Sequence, residues 1–74
     1  MSRAFNQTKK NIALRAKGGR KLLKLSQEAF ADACGIDRTY ASQIERGIAN
    51  PSLEVLCRIA DVLGTTIEEL VSSS

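Results

Sequence analysis

An all-α fold of five short helices is what this 74-residue sequence predicts. Three observations lead there. No run shows the sustained apolar–polar alternation of a half-buried strand. Glycines fall at 35, 47 and 64, each after an apolar-periodic stretch, where a helix can close on a left-handed residue. Ser26, Asp37, Ser52 and Thr66 each precede such a stretch, where a side-chain oxygen is needed to cap free amides.

The elements follow in order. Residues 1–6 lack periodicity and read as a flexible N-terminal arm, with 7–72 as one domain. The first helix runs from about Gln7 to Leu23, with Ile12, Ala16 and Leu23 on one face. Gly18 and Gly19 sit inside it, each costing about 1 kcal/mol relative to Ala. Either a neighbour approaches closely there, or the helix kinks or breaks. The second helix starts after Ser26, carries Glu28 in its first turn, continues through Ala29, Phe30, Ala33 and Cys34, and stops at Gly35. The third runs from Arg38, after the Asp37 cap, to about Arg46, with Ala41 and Ile44 inward and Tyr40 partly buried. Ile48–Pro51 is a loop. Ser52 caps a fourth helix, Leu53–Leu63, ended by Gly64. Thr66 with Glu69 three residues later fits a capping box for a short fifth helix, Ile67 to about Ser72.

Charge is unevenly spread. Eleven Lys and Arg against eight Asp and Glu leave a net +3. Residues 1–27 hold eight basic groups and no acid, a net +8, whereas 28–74 carry −5. Such asymmetry points to a polyanionic partner, nucleic acid or an anionic membrane surface, although a solvated lysine-rich helix has the same charge. With no histidine, imidazole acid–base chemistry and His metal sites are excluded. Two cysteines, Cys34 and Cys57, form no CxxC pair and cannot close a zinc site unaided, so they read as free core thiols. No metal or cofactor site is expected. The apolar runs are too short to span a membrane, and no apolar segment follows the basic N-terminus as in a secretory signal. A reducing cytoplasm fits best.

The informative stretch is Gln27–Gly47. Two helices of about eight residues are joined by Gly35-Ile36-Asp37, the short glycine-containing turn of a helix-turn-helix. Ala31 lets the two axes approach, Ile36 fills the turn and Ile44 anchors the second helix. The outer face of that second helix carries Arg38, Thr39, Ser42, Gln43 and Arg46. Arg can bond guanine O6 and N7, Gln can pair with adenine N6 and N7, and the Thr methyl can touch thymine. A merely solvated face would more often mix Glu with Lys.

The motifs Leu25-Ser26-Gln27-Glu28, Gly35-Ile36, Ile44-Glu45-Arg46-Gly47, Asn50-Pro51-Ser52-Leu53, Ile59-Ala60 and Leu63-Gly64 resemble the Cro and lambda-repressor type of helix-turn-helix protein, often called the xenobiotic-response-element family. The resemblance covers about Ile12 to Leu70. Within it, Arg38-Thr39-Tyr40 and the overall size are similar to the controller proteins of restriction–modification systems. The resemblance implies a lambda-repressor-like domain that regulates transcription. Arg38, Thr39, Ser42 and Gln43 would read bases in the major groove. Gln27, Tyr40, Asn50 and Ser52 would hold backbone phosphates, and Arg46 would hold a phosphate or pair with an acid. Arg20 and Glu45 fall where the family often has a structural ion pair. The sequence departs from the family at Lys24, where glycine is usual, and at Gly18-Gly19.

Leu56, Ile59, Ala60 and Leu63 form the expected inward stripe of the fourth helix, and Val55 and Val62 lie off it. Together with Leu53 and Val71 they are either scattered surface residues or the interface of a two-fold homodimer. A dimer would set two recognition helices about one DNA turn apart, roughly 34–36 Å, on an inverted-repeat operator, and act by blocking or recruiting RNA polymerase. The competing reading is an antitoxin-like module that mainly binds protein. An enzyme is not expected, because no nucleophile–base pairing, metal cluster or phosphate loop is present.

Overall fold

The computed structural model describes residues 2–72. Five helices follow one another: α1 Arg3–Leu22, α2 Gln27–Cys34, α3 Arg38–Glu45, α4 Leu53–Leu63 and α5 Ile67–Val71. Among the described residues there is no strand. A 20-residue helix is roughly 30 Å long, so α1 runs the length of a molecule measuring 32 × 22 × 19 Å. The other four pack along one side of it. Ile12 and Ala16 of α1 meet Phe30 and Cys34 of α2, Ile44 of α3, Ile59 and Ala60 of α4 and Leu70 of α5 in one core.

Local chemistry defines most of the helix ends. Ser26, Asp37, Ser52 and Thr66 each accept an N–H from the first turn of their helix. Gly35, Gly47 and Gly64 all have positive φ. After each one, the next residue's N–H bonds back to a carbonyl five residues earlier, as from Ile36 to Ala31 and Ile48 to Gln43. The end of α1 uses the same device without a glycine. Lys24 sits at φ +59°, and the Leu25 N–H reaches the Arg20 carbonyl at 3.2 Å. That explains why glycine is usual at this position in the resembled family.

Gly18 and Gly19 do not break α1. A Cβ built at Gly19 would lie 2.8 Å from Leu63 Cδ2, so α4 approaches the helix at this point. Gly18 has nothing within 4 Å.

Three expectations are corrected. Residues 3–6 are not an arm. Ser2 Oγ accepts the Phe5 N–H at 3.0 Å and the Lys9 ammonium lies 5.0 Å from the Phe5 ring centre, local contacts that start a helix without apolar periodicity. Met1 lies outside the described residues. Leu23 does not join the Ile12–Ala16 face, because α1 ends at Leu22 and Leu23 is half-exposed. Cys57 is exposed, since α4 turns Ile59 and Ala60 inward instead, while Cys34 is buried. Burial pushes the Cys34 thiol pKa up. Val55 and Val62 on α4 and Val71 on α5 are half-buried and also pack against the chain's own core. Leu53 alone of that set stands clear, at 70% exposure.

Candidate nucleic-acid interface

The turn between α2 and α3 orients the candidate surface. Gly35 ends α2 in the left-handed conformation, Ile36 packs against the core, and the Asp37 carboxylate accepts the Tyr40 N–H at 2.8 Å. The α3 helix is held from beneath by Ala41 and Ile44, both buried. With those two inward, the 3.6-residue repeat turns Arg38, Thr39, Ser42, Gln43 and Arg46 outward.

These five residues and Gln27, the first residue of α2, line one shallow depression of about 310 Å³. It is an open polar concavity, not an enclosed cavity. Arg38, Thr39 and Arg46 are exposed, whereas Ser42, Gln43 and Gln27 are half-buried at its floor. The donors therefore converge on one place, and no carboxylate lines it. Such a surface can hydrogen-bond base edges and phosphates while the guanidinium groups supply positive charge.

A buried ion pair underlies the depression. Arg20 Nε and Nη2 donate to the two Glu45 carboxylate oxygens at 2.7 and 3.0 Å. Arg20 Nη1 donates to the Leu25 carbonyl at 3.0 Å. The hydrogen bond that Arg20 donates to the Glu45 carboxylate raises the Arg20 pKa above its ordinary value. Gln27 Nε2 donates to Glu45 Oε1 at 3.3 Å. One carboxylate thus ties the end of α1, the start of α2 and the end of α3. The pair was expected from the family resemblance; its hydrogen bond to Gln27 was not, because it joins residues 18 apart on different helices.

The remaining phosphate candidates lie outside the depression. Tyr40 is half-buried against the core. Asn50 and Ser52 are exposed before α4, and Ser52 Oγ accepts the Val55 N–H at 3.2 Å as the α4 cap. Ile48, exposed just beyond α3, was not singled out in the sequence. Among the described residues no group of His, Cys, Asp or Glu could hold a metal ion. Among the same residues no helix is long and apolar enough to cross a membrane.

Comparison with known proteins agrees with this geometry. The helix-turn-helix family profile matches residues 18–70. Control protein C.MunI from a Mycoplasma species is 52% identical over 48 residues, 65% of this chain and 65% of its own length, so the chain spans just under two thirds of that relative. Among solved structures, the restriction–modification controller protein C.AhdI from Aeromonas hydrophila is 34% identical with a TM-score of 0.78, over 84% of this chain and 94% of that one. The biofilm master regulator SinR, solved in complex with DNA, is 32% identical with a TM-score of 0.77, over 82% of this chain and 98% of that one. The chain belongs to the helix-turn-helix family of DNA-binding regulators and is similar to restriction–modification controller proteins.

Proposed function

We propose that the chain is a sequence-specific regulator of transcription that works by occupying an inverted-repeat operator as a homodimer. The observation that carries this reading is the single depression gathering Gln27 with Arg38, Thr39, Ser42, Gln43 and Arg46. Arg38, Thr39, Ser42 and Gln43 read base edges. Gln27 and Arg46 hold phosphates there, and Tyr40, Asn50 and Ser52 hold the flanking backbone. The similarity to control proteins and to a regulator solved on DNA supports the assignment. The mechanism is occupancy, with no chemical step: bound protein blocks or recruits RNA polymerase in the cytoplasm. The basic α1 segment supplies salt-dependent attraction rather than readout.

The test is selection of bound sequences from random DNA, repeated with Arg38→Ala. The wild type should return an inverted repeat with half-sites about one helical turn apart. Arg38→Ala should lose roughly 1–3 kcal/mol on that site and relax one position in each half. A selection that returns no sequence preference overturns the reading.

A further inference from the structure

Among the described residues, Lys24 is the one residue other than glycine with a positive φ. An L-residue adopts that conformation at a cost, and glycine adopts it freely. A strained backbone of this kind is kept where something is gained by it. The backbone task at Lys24 is to close α1, and glycine performs the same task at Gly35 and Gly64. What glycine would not supply is the side chain.

The backbone on both sides of Lys24 is fixed. The Leu23 N–H donates to the Gly19 carbonyl at 3.1 Å, the Lys24 N–H to the Lys21 carbonyl at 3.0 Å and the Leu25 N–H to the Arg20 carbonyl at 3.2 Å. The Leu25 carbonyl accepts Arg20 Nη1, from the same guanidinium that grips Glu45. Leu25 itself packs against the core. Lys24 thus stands on a rigid corner rather than a loose loop.

That corner adjoins the recognition depression. Gln27, which lines the depression, follows three residues later, so the two Cα atoms lie within about 10 Å of each other. Lys24 is exposed and in no ion pair among the described residues. Residues 1–27 contain no acid, and the Glu45 carboxylate nearby is taken up by Arg20 and Gln27. Glu28, the next acid along the chain, is exposed on α2 and pairs with no base among the described residues. A free ammonium therefore stands just beyond a surface built of hydrogen-bond donors.

We propose that Lys24 grips a DNA backbone phosphate outside the depression, next to the one held by Gln27, and so clamps the flank of each half-site. This rests on the DNA-binding reading above and adds a contact to it. Lysine suits the task as a compact point charge on a flexible stem, which binds phosphate without reading a base. The rigid corner supplies the aim, because a backbone ordered beforehand costs nothing to order on binding. The contact strengthens binding to every sequence and fixes where the footprint ends.

Binding titrations over a salt series test this, on the duplex the wild type prefers and on an unrelated one. Lys24→Gln should weaken binding to both by about fivefold per protomer and reduce the salt slope by about 1 per protomer. Lys24→Arg should bind like the wild type. Lys24→Gly should melt at a higher temperature and still bind as weakly as Lys24→Gln, which separates the contact from the fold. Lys10→Gln removes the same charge about 15 Å further back along α1 from Arg20 and should change affinity and slope much less. In a second experiment, the phosphates flanking each half-site are replaced one at a time by uncharged methylphosphonate. One replacement should weaken the wild type about fivefold and leave Lys24→Gln unaffected. If no flanking phosphate is coupled to Lys24 in this way, or if Lys10→Gln loses as much, the clamp is overturned and the operator reading stands. A loss confined to the preferred duplex also overturns the clamp. A wild type without sequence preference overturns the operator reading, and the salt slopes on unrelated DNA then decide for or against Lys24.

Discussion

Gln27 donates its side-chain amide to the same Glu45 carboxylate that Arg20 grips with two hydrogen bonds. The carboxylate is the more enclosed partner, with its side chain 3% exposed against 13% for Arg20. Removing one member of a buried pair costs mainly through the charge left behind, roughly 3–5 kcal/mol. Arg20→Ala strands the enclosed carboxylate and should cost an amount in that range. Glu45→Ala should cost less, because Arg20 keeps the Leu25 carbonyl and lies nearer to water. Urea unfolding of both variants gives the order directly, and the reverse order would contradict the buried-carboxylate account.

Lys24 holds a left-handed conformation that an L-residue adopts at a cost of about 1–2 kcal/mol. Lys24→Gly should therefore raise stability by about 1 kcal/mol after the extra freedom of glycine in the unfolded chain is subtracted. The melting temperature should rise by several degrees. The variant also loses one exposed positive charge, so DNA affinity should fall equally on all sequences, with a shallower salt dependence. A loss confined to the preferred site would instead make Lys24 a reading residue.

Much of the fold is legible in the sequence because the helix ends are written in local chemistry. Ser52 and Gly64 bracket α4, Asp37 opens α3, and Thr66 with Glu69 opens α5, each by contacts within a few residues. The outward face of α3 follows from its period once Ala41 and Ile44 are inward. What escapes the sequence depends on which neighbour covers which face. Cys57 looks as apolar as Cys34, yet only Cys34, in the last turn of α2, faces the core. Val55 and Val62 look spare until α4 is seen between two helices. Leu14 reads as an ordinary helical leucine, and its exposure emerges only when α1 is seen turning Ile12 and Ala16 inward. The Glu45–Gln27 bond has no local signature at all.

The two adjacent glycines of α1 should respond differently to alanine. At Gly18 an added Cβ meets open space, so Gly18→Ala should stabilise the helix by about 1 kcal/mol. At Gly19 the same Cβ would come within 3 Å of both Leu63 methyl groups. Leu63 must swing away, giving back some or all of the propensity gain. Thermal melts at concentrations where the protein is monomeric should place Gly18→Ala clearly above Gly19→Ala. Equal gains would mean that Leu63 moves without cost.

Glu69 makes the stability of α5 depend on acid. Its carboxylate accepts the Thr65 hydroxyl at 2.7 Å and the Thr66 N–H at 3.4 Å, and these hydrogen bonds hold its pKa below the ordinary value. A group with a depressed folded pKa contributes stability that is fully present above its unfolded pKa, about 4.3 for Glu. That contribution is lost as pH falls through the folded value. Glu69→Gln keeps the size of the side chain but not the charge. Wild type should melt above Glu69→Gln by a constant gap near neutral pH. The gap should shrink as the solution is acidified below the usual carboxylate range, where the wild-type side chain is also neutral. A gap that is unchanged through the acid range would mean that shape at the α5 cap, and not the ionised hydrogen-bond acceptor, holds this helix in place.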